Sequence, residues 1–123
     1  MLRLLLDEHL SENIATSSRS LAADIIASMV SWEEGAFQGQ EDDVLLKAAH
    51  ARGWTLVTWD QRTIAPLLQT WAGQGISHGG VVFCNRQTLA TSDFGGIARA
   101  LMRLWREQGD LEWTDRVVYL TRA

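Results

Sequence analysis

The fold is decided by residues 1–8, MLRLLLDE, in which an apolar run ends directly at two carboxylates. Successive side chains of a strand face opposite sides of its sheet, so an unbroken apolar run predicts a strand buried on both faces. Leu2 to Leu6 is therefore predicted as the first strand, with Asp7 at its carboxyl end. Such strands are typical of parallel sheets, in which helices make the crossover connections.

Short apolar runs alternate with helical patterns along the rest of the chain, which is typical of βαβ construction. The fold class is therefore predicted as α/β, with a mainly parallel sheet of about five strands. The later strands are expected at 24–30, 54–58, 81–84 and 117–120, the last of them at an edge of the sheet.

Capping and stop signals bound the predicted helices. Asp42 and Asp43 lie in the first turn of the second helix, where carboxylates favour the positive end of the helix dipole, and Val44 is expected on its buried face. The helices are expected at 12–21 after an N-cap at Ser11, at 41–52 before Gly53, at 64–71 before Gly73, and at 97–105 after a cap at Ser92 or Asp93.

Composition narrows the function classes. The chain has 123 residues, which fits a single domain over 1–123, and its net charge of −4 argues against a general nucleic-acid coat protein. A metal-dependent nuclease is still compatible, because its site needs clustered carboxylates. A lone Cys84 excludes an internal disulfide and a cysteine-based zinc site, and no run is apolar enough to span a membrane. We expect a cytoplasmic protein without membrane contact.

Three aspartates are predicted to meet at the carboxyl edge of the sheet. Asp7 follows the first strand, Asp60 follows the third, and right-handed crossovers would bring the helix start at Asp42 to the same edge. Clustered carboxylates repel one another unless a cation neutralises them, and Mg²⁺ or Mn²⁺ prefers oxygen ligands. Each aspartate alone suits a turn or a helix cap equally well, but the joint pattern predicts metal ligands and catalytic residues.

Several neighbouring side chains are predicted to support these aspartates. Thr58 and Thr63 flank Asp60 and are expected to hold its carboxylate or a bound water, although Thr63 equally suits the N-cap of the next helix. Trp59 is a candidate for stacking on a base. The supporting residues are Glu8, His9, Asp43, Thr58, Thr63 and Asn85, while Lys47, Arg62 and Arg86 are phosphate contacts or ordinary surface.

Four motifs, in this order, resemble the short stand-alone proteins of the PIN-like domain superfamily. They are LLLDEHLS at 4–11, Gly39 with Asp42 and Leu45-Leu46, TLVTWD at 55–60, and HGGVVF at 78–83. The resemblance implies a three-layer α/β/α sandwich and an Mg²⁺- or Mn²⁺-dependent endoribonuclease with Asp7, Asp42 and Asp60 as its metal site. Many members are toxins of bacterial toxin–antitoxin pairs, so an antitoxin protein is an expected partner beside the RNA substrate.

Two other functions fit the same residues. PIN nucleases often carry a fourth acid near the end of the fourth strand, where this chain has Cys84-Asn85-Arg86. Either Asn85 is a neutral ligand, or the protein is an inactive PIN-like module that acts through a protein partner. A receiver-like phosphoacceptor domain would use Asp7-Glu8 and Asp60, but Thr121-Arg122 replaces its expected lysine. Six tryptophans exceed what a small core needs, which predicts a homodimer.

Overall fold

The computed structural model describes residues 1–10, 12–17 and 25–122. Its strands are β1 (Leu4–Leu6), β2 (Ile26–Ser28), β3 (Thr55–Thr58), β4 (Val81–Phe83) and β5 (Val117–Tyr119). Its α-helices are α1 (Glu12–Ser17), α2 (Asp42–Ala51), α3 (Gln61–Gln74) and α4 (Phe94–Gln108), and a short 3-10 helix spans Trp32–Gly35. Strands and helices alternate as the sequence predicts.

All five strands are parallel and lie in the order β2-β1-β3-β4-β5. β1 is paired on both sides, since Leu4 is in register with Ile26 of β2 and with Thr55 of β3. Its three leucines are 0% exposed, which confirms a strand that is buried on both faces. The chain moves outward from β1 to β2 and then crosses to β3, so the strand order reverses between β1 and β3.

Helices cover both faces of the sheet. On one face, α1 and α4 pack on alternate strand residues such as Leu4, Leu6 and Val57. On the other face, α2 and α3 pack on Leu5 and Leu56 together with the 3-10 helix. The protein is thus an α/β fold with helical, sheet and helical layers, as the sequence predicts.

The last crossover connection, through α4, differs in handedness from the other crossover connections. The connections through α2, α3 and α4 all move in the same direction across the sheet, from β2 towards β5. α2 and α3 lie on one face and α4 lies on the other, so the α4 connection has the opposite hand from the other two. On that face α4 packs against α1 and buries Ile97 and Leu101.

The structure corrects several sequence-based boundaries. α3 runs through Gly73 and ends at Gly75, whose φ of 71° is the left-handed conformation of a helix C-cap. In α2, Val44 is 41% exposed and Leu46 is buried instead. The α4 cap is Asp93, which accepts a hydrogen bond from the Gly96 amide at 3.0 Å. The predicted cap Ser11 and residues 18–24 lie outside the described residues.

The tryptophans are mainly core residues. Trp32, Trp54 and Trp71 are buried in the layer of α2 and α3, where the Trp32 and Trp54 rings meet edge to face at 6.1 Å. Trp113 is buried in the opposite layer, against which Trp59 and Trp105 pack half-buried. The two core layers therefore account for the tryptophan content, and the homodimer stays a prediction.

His78 belongs to the amino edge of the sheet, because it precedes β4. Its side chain is buried, and its Nδ1 accepts a hydrogen bond from the Gly80 amide at 3.0 Å. Its backbone amide donates to Asp115 Oδ1 at 3.0 Å, which joins the start of β4 to the turn before β5. Gly79 is required there because a Cβ would lie 2.6 Å from the Trp54 carbonyl oxygen. The motif His78-Gly79-Gly80 therefore serves close packing at the start of β4.

Low pH is expected to destabilise the contact between the start of β4 and the turn before β5. Burial lowers the pKa of His78, an effect that nearby Asp115 opposes. The unfolded chain thus binds this proton more readily than the folded protein, so stability is complete above the usual histidine pKa of about 6.5 and falls as the pH drops below it. Urea unfolding should show a smaller loss between pH 7.5 and 5.5 for His78→Asn than for the parent, with His9→Asn, at an exposed position near the other edge of the sheet, as control. Equal losses in His78→Asn and the parent would contradict this prediction.

Candidate functional site

The carboxyl ends of β1 and β3 meet where the strand order reverses, which is the position at which open α/β sheets bind ligands. Asp7 is the first residue beyond β1, and its amide donates to the Val57 carbonyl of β3 at 2.9 Å. Asp60 lies two residues beyond β3 and forms the N-cap of α3. The two aspartates thus come from neighbouring strand ends.

Thr58 joins these two aspartates. Its hydroxyl donates to Asp7 Oδ2 at 2.6 Å and accepts a hydrogen bond from the Asp60 amide at 3.0 Å. Thr58 is 0% exposed, so its hydroxyl needs partners inside the protein. Hydrogen bonds to a charged group are stronger than neutral ones, and this one fixes the orientation of the Asp7 carboxylate.

Asp7 and Asp60 line one cavity of about 480 Å³. Its other walls combine basic, aromatic and polar groups: His9, Thr58, Trp59, Gln61, Arg62 and Arg86. Among residues 1–10, 12–17 and 25–122, the cationic side chains in salt bridges are Arg52, His78 and Arg103, so Arg62 and Arg86 have no carboxylate partner. The cavity therefore offers two carboxylates and two guanidinium groups with no salt-bridge partner.

Asp42 lies close enough for the charges of Asp7 and Asp60 to affect its pKa. It is half-buried in the first turn of α2, and burial is the main reason why its pKa is raised. The negative charges of Asp60 and Asp7 raise it further, followed by Glu41 and Asp43. The second-rank residue Asp43 thus acts here as a neighbouring negative charge. A cation in this region would relieve that repulsion.

The carboxylate oxygens of Asp7, Asp42 and Asp60 do not form a group in which all ligand atoms lie within 4.8 Å of one another. Within the described part of the chain, only Asp7, Glu8 and His9 form a group of three metal-ligating side chains with all ligand atoms within 4.8 Å. Glu8 also accepts a hydrogen bond from the Gly39 amide at 3.3 Å, which ties the loop before α2 to the site. Asp7 belongs to both arrangements, since it also shares the cavity with Asp60.

The oxygen donors near Asp7 fit a hard divalent cation. Mg²⁺ and Mn²⁺ bind through one or two carboxylates together with water and substrate phosphate, so a complete protein cage is unnecessary. Asp7, Asp60 and Glu8 would supply such oxygens, and Asp42 lies near enough for the charges of Asp60 and Asp7 to add to the effect of burial on its pKa. His9 is exposed at the rim of the cavity, where an imidazole could reach substrate or solvent.

Two of the predicted supporting residues have other contacts. The prediction of Thr63 as an N-cap is wrong, because it lies inside α3 and its backbone amide donates to the cap residue Asp60 at 3.1 Å. Asn85 Oδ1 accepts a hydrogen bond from the Gln87 amide at 2.8 Å, which closes a turn after β4. Cys84 is buried, and burial raises the pKa of its thiol to about 12.

Sequence reasoning missed or left unranked three residues of the cavity wall. Gln61 was not singled out, and Arg62 and Arg86 had no more weight than Lys47. Lys47 lies on the α2–α3 face, with its Nζ 5.6 Å from the centre of the Trp71 ring. Their positions in the sequence could have identified the two arginines, since Arg62 follows Asp60 by two residues and Arg86 lies shortly after β4.

Comparisons with protein-family models, curated proteins and solved structures found no match to this chain. Across 1–10, 12–17 and 25–122, no helix is both long enough and apolar enough to cross a membrane. The fold and site define a parallel α/β protein with an acidic and basic cavity at its strand reversal. Its function has to be argued from that cavity, because one fold serves many functions.

Removing the Thr58 hydroxyl should destabilise the protein. Thr58→Val keeps the side-chain shape but leaves Asp7 Oδ2 and the Asp60 amide without this partner, which is expected to cost about 1–3 kcal/mol. Thr58→Ser, which retains the hydroxyl, should lose less. The free energy of unfolding in urea measures both changes. If Thr58→Val is as stable as the parent, these hydrogen bonds contribute nothing to folding.

Proposed function

We propose that this protein is a PIN-like, metal-dependent endoribonuclease that hydrolyses phosphodiester bonds at the cavity between β1 and β3. The shared cavity is the observation that carries the proposal. Asp7 and Asp60 provide oxygen ligands there, and Arg62 and Arg86 line the same space without a carboxylate partner in the described part of the chain. Carboxylates suit a divalent cation, while guanidinium groups suit phosphate oxygens.

Asp7, Asp60 and Asp42 would hold Mg²⁺ or Mn²⁺, with Glu8 as a further oxygen donor. When bound, such an ion stabilises negative charge on the phosphate and makes a water molecule more acidic. The chain's own residues orient that site: Thr58 holds Asp7 at 2.6 Å, and the Thr63 amide holds Asp60 at 3.1 Å.

The remaining groups support binding and proton transfer. Arg62 and Arg86 bind backbone phosphate on either side of the reacting position, which compensates for the acidic overall charge. Asp42, whose pKa is raised by burial and by the charges of Asp60 and Asp7, would either complete the metal site or orient the attacking water. His9 at the rim would donate a proton to the leaving oxygen.

The motifs LLLDEHLS, TLVTWD and HGGVVF support the same assignment through their resemblance to PIN-like proteins. A toxin role, with an antitoxin protein as partner, follows from that resemblance and forms part of this proposal. The cytoplasm is the proposed location, and the homodimer remains a sequence-based expectation. Of these statements, the binding of a metal ion and of phosphate is the part that the residues of the cavity support.

A second candidate is an inactive PIN-like module that works through a protein partner. The end of β4 favours it, because Cys84 is a buried thiol and Asn85 Oδ1 is engaged in a local turn. Neither residue supplies the fourth acid of the active enzymes. The open spacing of Asp7, Asp42 and Asp60 also favours a site that has lost catalytic geometry.

A receiver-like phosphoacceptor domain has less support. The strand order β2-β1-β3-β4-β5 is shared with receiver-like folds, but strand order alone does not determine function. Asp60 Oδ1 is engaged in capping α3. The one lysine of the sequence, Lys47, packs over Trp71 instead of lying beyond β5.

Replacing either central aspartate should abolish metal binding and RNA cleavage together. Asp7→Asn and Asp60→Asn keep the side-chain shape but remove the charge, so cleavage should fall by about 100-fold or more. Calorimetry with Mn²⁺ and Mg²⁺, and cleavage of single-stranded RNA in the same buffers, measure the two effects. Asp110→Asn, at an exposed position outside this cavity, is the matched control.

Each outcome of that experiment separates the candidates. Parental cleavage in Asp7→Asn contradicts its catalytic role. Metal binding by the parent without RNA cleavage moves the assignment to the inactive module. Absence of metal binding in the parent reduces the aspartates to the capping and turn functions seen in their hydrogen bonds.

Metal affinity should also depend on Asp42 and on pH. The raised pKa of Asp42 means that this carboxyl takes up a proton earlier than an ordinary aspartate as the pH falls. Protonation removes negative charge from the site, so in titrations between pH 7.5 and 4.5 the Mn²⁺ affinity of the parent should begin to fall at a higher pH than an ordinary aspartate, with a pKa of about 3.9, would give. Asp42→Asn should bind more weakly at pH 7.5 but with a flatter pH profile. Parallel calorimetric profiles for the two proteins would exclude this contribution.

A further inference from the structure

We propose that Trp59 and Arg86 form a nucleobase platform in the cavity wall, which stacks one base of the RNA next to the reacting phosphate. The proposal rests on the ribonuclease function above and adds a base-binding position to it. Both residues line the cavity that contains Asp7 and Asp60. Arg86 lies over the indole ring of Trp59, with its guanidinium carbon 5.8 Å from the ring centre.

Trp59 is anchored and accessible at the same time. It lies between Thr58 and Asp60, packs half-buried on the core layer of α1 and α4, and also lines the cavity. A ring that packs against the core loses little freedom when a ligand binds beside it, and the guanidinium of Arg86 over this ring is itself a planar surface on which a base stacks. The backbone next to it is fixed as well, since the Asp60 amide donates to Thr58 Oγ1 at 3.0 Å.

Arg86 is presented by the turn that follows β4. The Asn85 side chain accepts from the Gln87 amide at 2.8 Å, and the Asn85 carbonyl accepts from the Leu89 amide at 2.9 Å. These hydrogen bonds hold the backbone on both sides of Arg86. The position after β4 that holds an acid in PIN nucleases thus carries a turn that directs a cation towards Trp59.

The other cation–tryptophan pairs among the described residues involve buried rings, unlike this one. Arg3 lies over Trp54 at 4.2 Å and Lys47 lies near Trp71 at 5.6 Å, but both of these tryptophans are buried in the core. Their rings cannot receive a base. Trp59, by contrast, borders the cavity beside the candidate metal ligands.

The chemistry suits a base attached to a phosphate. Every nucleobase presents a flat π face that stacks on tryptophan, and an arginine beside it adds a cation–π contact or a phosphate contact. Arg86 has no carboxylate partner among residues 1–10, 12–17 and 25–122, so its charge is available to the ligand. A base in this position has to be unpaired, because a paired base cannot leave its own stack without cost.

Fluorescence of a single-stranded RNA that contains 2-aminopurine tests the platform directly, because stacking quenches this base. Titrations with the parent protein in Ca²⁺ buffer should show quenching. Trp59→Leu, which keeps an apolar contact with the core but has no ring, should bind about tenfold or more weakly with little quenching. Trp59→Phe should restore part of both signals, and Arg86→Gln should weaken binding. Trp105→Phe, at a half-buried tryptophan on the same core layer, is the matched control.

Folding and metal binding of each variant are checked by urea unfolding and Mn²⁺ calorimetry. Quenching by the parent that Trp59→Leu loses while it retains Mn²⁺ binding supports the platform, even if the parent does not cleave RNA. Parental affinity and quenching in Trp59→Leu overturn it while leaving the nuclease assignment intact. Absence of quenching in the parent also overturns it, and RNA cleavage measured in Mn²⁺ then decides the nuclease assignment separately.

Discussion

The complete burial of β1 is the constraint on which the rest of the structure depends. A strand that is paired on both sides and covered on both faces cannot carry a charged side chain without a large desolvation cost until the chain leaves the sheet. Asp7 is the first residue at which this becomes permissible, and β3 ends beside it. The location of the first acid is therefore a direct result of the packing of Leu4, Leu5 and Leu6.

The same constraint gives Thr58 its importance. A hydroxyl buried at the end of β3 must find hydrogen-bond partners, and the available partners belong to Asp7 and Asp60. Satisfying one buried group thus holds two charged residues in fixed positions. Asp42 is brought towards them by the start of α2, and burial, together with the charges of Asp60 and Asp7, raises the pKa of its carboxyl. The hydrogen bonds that satisfy a buried group of the fold therefore also fix the positions of the charges at the site.

Local patterns were enough to predict all five strands and the aspartates that follow β1 and β3, because short apolar runs, and an acid directly after such a run, are visible in the sequence. The end of α3 was not predictable in the same way, since an exposed Gly73 is tolerated inside a helix. The hand of the α4 connection depends on packing against α1, which no local pattern specifies. Arg86 required the turn made by Asn85, which exists only in the folded chain.

The outer edge of β5 affects the tendency of the protein to aggregate. β5 is only three residues long, and its outer edge is unpaired within the described chain, with Tyr119 56% exposed. Unpaired strand edges are templates on which other chains can add, and natural proteins limit this with short edge strands and flanking charges. Arg116 and Arg122 supply such charges on either side of β5. The strand that completes the sheet therefore also discourages its growth into intermolecular aggregates.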